Sequence, residues 1–251
     1  MRHTRIRTIL LVVLLVLTPV GSIAFGAASV PWNQVIGVLA DHLGLHPQVT
    51  WDGITDAIVW QNRMPRIIAG IGVGAALGVA GVALQAIVRN PLAEPYVLGV
   101  SSGASTGAAA AMVLIGMSSP LGVASLAFVG ALVATTLVLG VGGRRGSSAL
   151  TLVLAGIAVG FIFQAVTNLI IFSADSPETA RSVMFWMLGS LAKVSWTQSI
   201  WLVGIAAVLM ALLWLCAPWL DALASGDQTS MAVGINPQVI RLVILLSLIH
   251  I

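Results

Sequence analysis

What most limits the fold of this chain is a succession of long apolar stretches, separated by segments that hold nearly all of the charge. Seven candidates run over 8–28, 66–88, 96–116, 121–141, 150–172, 199–217 and 239–251. About 20 apolar residues in a helix cross a hydrocarbon core ~30 Å thick. In that solvent every backbone N–H and C=O must be bonded within the protein, and a helix does this within one segment. Only 8% of the 251 residues are charged and 59% are hydrophobic. A water-facing domain carries about a quarter charged residues. The expected fold class is therefore all-α, a polytopic transmembrane helix bundle.

The charges also set an expected orientation. With the N-terminus in the cytoplasm, the inner segments hold Arg2, Arg5, Arg7, Arg89, Arg144, Arg145 and Arg241. The outer segments hold Arg63, Arg66, Arg181 and Lys193. This bias follows the positive-inside rule. The first apolar run follows three arginines, the outline of a secretory signal, but it is longer than a usual signal core and is read as a retained helix. Trp32, Trp51 and Trp60 in the first outer loop suit a membrane interface. In the outer segment 174–198, Met184, Met187, Leu188 and Leu191 share one helical face, which predicts a short helix at the outer surface.

Several motifs suggest soluble-enzyme chemistry and fail on context. Gly99-Val-Ser101-Ser-Gly103 matches a hydrolase nucleophile pattern but opens an apolar helix with no usable histidine nearby. Gly142-Gly-Arg-Arg-Gly146 lacks the lysine and strand of a phosphate loop and reads as a cytoplasmic turn. Gly70, Gly74 and Gly78 form a small stripe, expected to let helices approach closely. His42 and His46 could share a face but lack a third metal ligand. The single cysteine, Cys216, permits no intrachain disulfide, and no basic run is long enough for nucleic acid. Neither a cofactor nor a metal is expected.

Two segments are more informative. In 63–103, Arg63 and Arg66 sit at the outer end of a span, against the inner bias of positive charge. They read either as anchors or as a landing site for an acidic partner. Asn90-Pro91-Leu92-Ala93-Glu94-Pro95 then interrupts the helix, and such backbone at membrane depth is tolerated where it is buried in protein or lines a cavity. In 219–241, two short helices are expected over 219–225 and 228–233, around a Gly226-Asp227 turn. Gly234 and Asn236-Pro237 break the chain before the next span. Such a pair is either a connector or a docking element for a soluble partner.

Together these segments resemble the FecCD family of permeases, the membrane subunits of importers for iron-siderophores, haem and vitamin B12. The matching words are R-x-P-R at 63–66, G-A-x-L-x-x-A-G at 74–81, Gln85, N-P-L-A-E-P-x-x-L-G-V-S-x-G-A at 90–104 and M-x-W-M-x-G-S-L at 184–191. A looser G-x-x-x-x-x-A-x-x-G pattern follows, aligned at 226–234. The resemblance covers most of the chain from about residue 55. It implies that Arg63 and Arg66 receive acidic residues of a periplasmic or lipoprotein substrate-binding protein. It implies that Asn90, Pro91 and Leu92 lie at the inner end of the translocation path, and that Ser147 and Ser148 fall near a cytoplasmic gate. It implies that 220–234, with Leu220, Leu223, Gly226, Asp227, Ala232 and Gly234, forms coupling helices seated on an ATPase subunit. The implied assembly has two permease copies, two cytoplasmic ATPase subunits and one binding protein in a bacterial inner membrane. ATP hydrolysis belongs to the partner, and this chain is not expected to be an enzyme.

The resemblance also implies about ten spans, where seven are counted here, and a later G-F-x-G-L-x-x-P-H segment that this sequence lacks. The chain is accordingly expected to be a single transmembrane permease domain, incomplete at its C-terminus and unable alone to close a pathway. Two other classes remain at this stage. An ion-gradient-driven secondary transporter usually keeps ionisable residues within its spans; no Asp or Glu lies mid-span here. The other is a non-transporting membrane assembly protein.

Overall fold

The structure is a computed structural model that describes residues 2–94, 96, 99–142 and 149–250. Its elements are α1 (Arg2–Ala24), α2 (Trp32–His42), α3 (Gly53–Asp56), a π-helical segment (Ala57–Arg63), α4 (Met64–Val88), α5 (Val100–Ala109) with a π-helical end (Ala110–Leu114), α6 (Pro120–Gly142), α7 (Ala149–Phe172), α8 (Pro177–Leu188), α9 (Trp196–Leu215), α10 (Ala217–Ala224), α11 (Asp227–Ala232) and α12 (Pro237–Leu248). No strand occurs among the described residues.

Among the described residues, five helical stretches have the length and apolarity to cross a membrane: Ile6–Ala24, Gly53–Val88, Pro120–Gly142, Leu150–Phe172 and Trp196–Leu215. Two expected spans are shorter. Val100–Leu114 covers about 22 Å at 1.5 Å per residue. It is bounded by Gly99 and Gly116, both at φ +71°, a conformation that ends regular helix and suits glycine. Pro237–Leu248 is shorter still.

The contacts divide the chain into two compact units. The first is Met1–Val73 with Leu191–Ile205. Its core gathers Ile23, Ala24, Val30, Val35, Val38 and Val59, flanked by Trp51, Trp60 and Ile67. Trp51 and Trp60 thus pack one side of their rings on this core. A Cβ on Gly37 would come within 2.8 Å of the Trp51 ring, so the absent side chain gives that ring its seat. His42 stacks on Trp60 at 4.0 Å and bonds Asp56 through Nε2 at 2.9 Å. Asp52 caps α3 by accepting the Thr55 N–H at 2.8 Å. The Thr55 side chain first, and its N–H second, hold the Asp52 carboxyl below the ordinary 3.8, so the cap persists at neutral pH and is lost as pH falls through that lowered value.

The second unit is Gly74–Ser190 with Ala206–Ile251. Its main core runs from Ala80, Leu84 and Ile87 through Ala134, Val138, Leu152 and Leu213 to Leu223, Ile244 and Leu245. α5 and α6 meet through glycines: a Cβ on Gly103 would lie 2.5 Å from both the Ala134 Cβ and the Gly130 carbonyl oxygen. The hydrolase-like pattern at 99–103 is therefore a helix entry and a packing seat. Thr106 and Thr167 join α5 to α7 by a hydroxyl pair at 2.7 Å.

The glycine stripe on α4 differs from expectation. Among the described residues, no atom approaches the Cβ position of Gly74 or Gly78 within 4 Å, whereas Gly72 is tight, 2.8 Å from Val203 Cγ2. α8 also differs. It ends at Gly189, φ +73°, so Leu191 lies outside it. Its buried residue is Val183, with Met187 half-buried and Met184 and Leu188 exposed. One measurement checks this packing. Gly103→Ala should cost about 1–3 kcal/mol from overpacking. Gly78→Ala should be neutral or stabilising by up to ~1 kcal/mol. Thermal unfolding of both variants in detergent reads the contrast.

Candidate functional site

Three groups of polar side chains stand out, two of them where the sequence placed functional residues. The first is in the first unit. Val59 and Arg63, four residues apart, are both buried in the π-helical segment. Arg63 donates from Nη1 to the carbonyls of Ile23 at 2.6 Å and Ala24 at 2.9 Å, and from Nη2 to the Ala28 carbonyl. The last carbonyls of a helix have no partner within it and carry its negative dipole end. A guanidinium at the end of α1 answers both needs. Arg63, only 8% exposed, is thus an internal clasp as the chain stands.

Arg66 is placed differently. It is half-buried and bonds the Asn62 Oδ1 at 3.0 Å and the Ala192 carbonyl at 2.7 Å, both through Nη2. Its Nη1 has no hydrogen bond among the described residues. A cavity of about 570 Å³, bounded by Phe25, Ala28, Ile58, Asn62, Arg63 and Arg66, opens beside the pair. Between the two arginines stands Pro65, which has no N–H. A π-turn bond from residue 65 would reach the Trp60 carbonyl; Trp196 Nε1 donates there instead at 2.8 Å.

The second group lines a groove of about 330 Å³ in the second unit, formed by Ser101, Ser102 and Ser105 of α5 and Gly156, Gly160 and Gln164 of α7, among others. Gln164 donates to Asn168 at 3.1 Å. Both amides lie within an apolar span, and Asn168 is exposed. Sequence reading missed them. Their spacing of four, in a helix otherwise free of large polar groups, was the available signal.

The third group surrounds α10 and α11, which fall within one or two residues of the expected helices. Gly226, at φ +116°, makes the turn between them. Leu223 is fully buried and Leu220 packs on the same core, so these two hold α10 down. Ser230, unnoticed in the sequence, donates its hydroxyl to the carbonyls of Ala222 at 2.9 Å and Gly226 at 3.0 Å, tying α11 back onto α10. Ala232 is exposed, and Gly234 at φ +80° ends the pair. Asn236 then caps α12 by accepting from Gln238 N. Asp227 accepts from Arg241 Nη2 at 2.6 Å and lies 3.8 Å from Arg89 Nη2. The turn after α4 is nearby in sequence to Arg89: Asn90 Oδ1 accepts from Leu92 N at 2.9 Å, Pro91 stands between them, and Leu92 is exposed. Ser147 and Ser148 lie outside the described residues.

The FecCD family model matches residues 10–251. This chain belongs to the FecCD transport family. It is a multi-pass membrane protein. The FecCD chain is 31% identical over 247 residues to a chain named as an ABC transporter permease protein in Methanocaldococcus jannaschii, covering 94% of this chain and 68% of that one. It is 37% identical over 206 residues to the vitamin B12 import system permease protein BtuC of Escherichia coli, covering 80% of this chain and 61% of BtuC. Among solved structures, a metal-chelate type ABC transporter in an inward-facing conformation matches with a TM-score of 0.78 and 27% identity, over 96% of this chain and 71% of that one. The chain thus spans roughly two thirds of the length of the curated relatives it matches.

The clasp predicts a contrast between two neighbouring arginines. Arg63→Met strands three carbonyls, each costing about 1–3 kcal/mol when buried and unbonded. Arg66→Gln should cost less than ~1 kcal/mol, in line with its exposure. Thermal unfolding in detergent, with proteolysis between α1 and α2 as the local readout, checks both.

Proposed function

We propose that this chain is the membrane-spanning permease subunit of an ATP-driven importer. Its cargo is an iron chelate, such as a siderophore or haem, or a corrinoid. The observation that carries the reading is the FecCD match over residues 10–251. The B12 permease and the metal-chelate transporter among its relatives support that range of cargo. The working unit is a pair of permeases with two cytoplasmic ATPase subunits and a periplasmic or lipoprotein binding protein, in the inner membrane with the N-terminus in the cytoplasm.

In this reading α10 and α11 seat on the ATPase. Their short length, their anchoring through Leu220 and Leu223, and their exposed outer residues suit a rigid knob that moves with its partner. Arg66, whose outer Nη1 is uncommitted, is the cation that receives an acidic side chain of the binding protein, while Arg63 holds the platform beneath it. Gln164 and Asn168 mark the polar side of α7. Large amides exposed within a span call for polar or protein surroundings, which a path between two copies provides. Asn90, Pro91 and Leu92 form the inner end of that path. Chemistry stays in the ATPase; this chain changes which side of the membrane its cavity faces.

Uptake of labelled cobalamin or ferric siderophore into proteoliposomes, with the ATPase and binding protein supplied, tests the reading. Uptake should require internal ATP and survive an uncoupler. The opposite pattern would favour an ion-driven carrier. Arg66→Glu should lower uptake on the order of tenfold at limiting binding protein, through slower docking. Uptake equal to the unmodified chain at every binding-protein concentration would remove Arg66 from the docking role.

A further inference from the structure

The ion cluster beside α11 carries a meaning that the assignment of coupling helices does not use. Arg241, in the first turns of α12, is almost wholly buried along its side chain and bonds Asp227 Oδ1 at 2.6 Å. Arg89, at the end of α4, brings its own Nη2 to 3.8 Å from the same oxygen. One carboxylate therefore joins the end of α4, the start of α11 and the start of α12.

Arg89 is held there against its backbone preference. Asn90 N bonds the Gln85 carbonyl at 3.2 Å, the bond that closes a helix through a left-handed residue. That residue is Arg89, at φ +55°, where glycine is the unstrained choice. Its side chain lies against the α10–α11 junction: a Cβ on Gly226 would be 3.4 Å from Arg89 Nη1. An ordinary solvated ion pair would not need an arginine at a position that penalises every side chain. Strained residues persist where surrounding structure over-determines them, and they cluster at sites that move or switch. The residue after Arg89 builds the turn at Asn90, Pro91 and Leu92 through the Asn90 side chain. A displacement of Asp227 therefore acts on that turn through a single side chain and one peptide unit.

We propose that Asp227, acting through Arg89, is the positioning residue that transmits displacement of α10–α11 to the Asn90–Pro91–Leu92 turn, with Arg241 fixing Asp227 in register. The looser Arg89 contact is the arm that yields, and the short Arg241 contact is the one that stays. The value of this device to transport rests on the permease reading; the energetic link between the two segments does not.

Hydrogen exchange of the chain in lipid nanodiscs tests the link without transport. Arg89→Gly removes the charge and also the backbone penalty, so its melting midpoint should equal or exceed that of the unmodified chain. Exchange at 227–234 should nevertheless rise by about two- to fivefold, the scale of one half-exposed ion pair. Asp227→Asn should raise exchange reciprocally at 90–93, and Arg89→Lys should largely restore protection. Changes confined to each mutated segment would overturn the proposal. In the reconstituted importer, Arg89→Gly should keep ATP hydrolysis while uptake falls by a similar factor. Undiminished uptake would overturn the transmitting role. Absence of ATP-driven uptake by the unmodified chain would instead count against the permease reading alone.

Discussion

The first unit depends on a positive charge that finds no acid among the described residues. Arg63 is satisfied by carbonyl oxygens of Ile23, Ala24 and Ala28. A buried charge without bonds is expensive, and a helix end buried without bonds is expensive too. Each removes the other's cost. Along most of its length α1 has little protein around it. Its register against the π-helical segment is set at its last turn, where Ile23 and Ala24 enter the core. Gly26 belongs to the same arrangement, since a Cβ there would stand 2.8 Å from the guanidinium. The R-x-P-R word thus contains two different residues: a clasp turned inward and a cation left half outside.

The second unit uses a different currency. In lipid, apolar burial between helices gains little, so close packing and internal hydrogen bonds decide which helices associate. α5 and α6 have almost no side chain between them where Gly103 meets Gly130. α5 and α7 share the threonine pair. Toward α10 and α11 the apolar core continues through Leu223, Ile244 and Leu245, and beside it the cluster around Asp227 adds long-range order. The threonine pair and the Asp227 cluster therefore sit at junctions between elements, where one bond fixes several parts of the chain.

The sequence made some of this legible and hid the rest for physical reasons. Span positions follow from transfer of apolar side chains, a property each segment carries alone, and the helices at 149–172 and 196–215 sit close to where hydropathy put them. The pair α10–α11 was readable because Gly226, Gly234 and Asn236-Pro237 are local signals. The clasp at Arg63 was hidden because its partners lie 35 to 40 residues away and are backbone atoms, which no side-chain pattern announces. On α4 it is Gly72, off the Gly70–Gly74–Gly78 stripe, that makes the close approach to Val203, a contact spacing did not announce. The short helix expected in 174–198 is there as α8, but Gly189 ends it before Leu191. Which residues meet is a property of the whole arrangement, and spacing reports only the face that one helix would offer.

The bond from Trp196 to the Trp60 carbonyl spans 136 residues. A ribosome adding roughly 5–20 residues per second leaves that carbonyl waiting on the order of ten seconds for its donor. During the interval the π-turn before Pro65 has an unmatched oxygen, and the early helices already made have reason to stay near water or near the insertion machinery. Birth order and final geometry are thus out of step: the Trp60 carbonyl gains this donor only once the indole of a much later helix has been made.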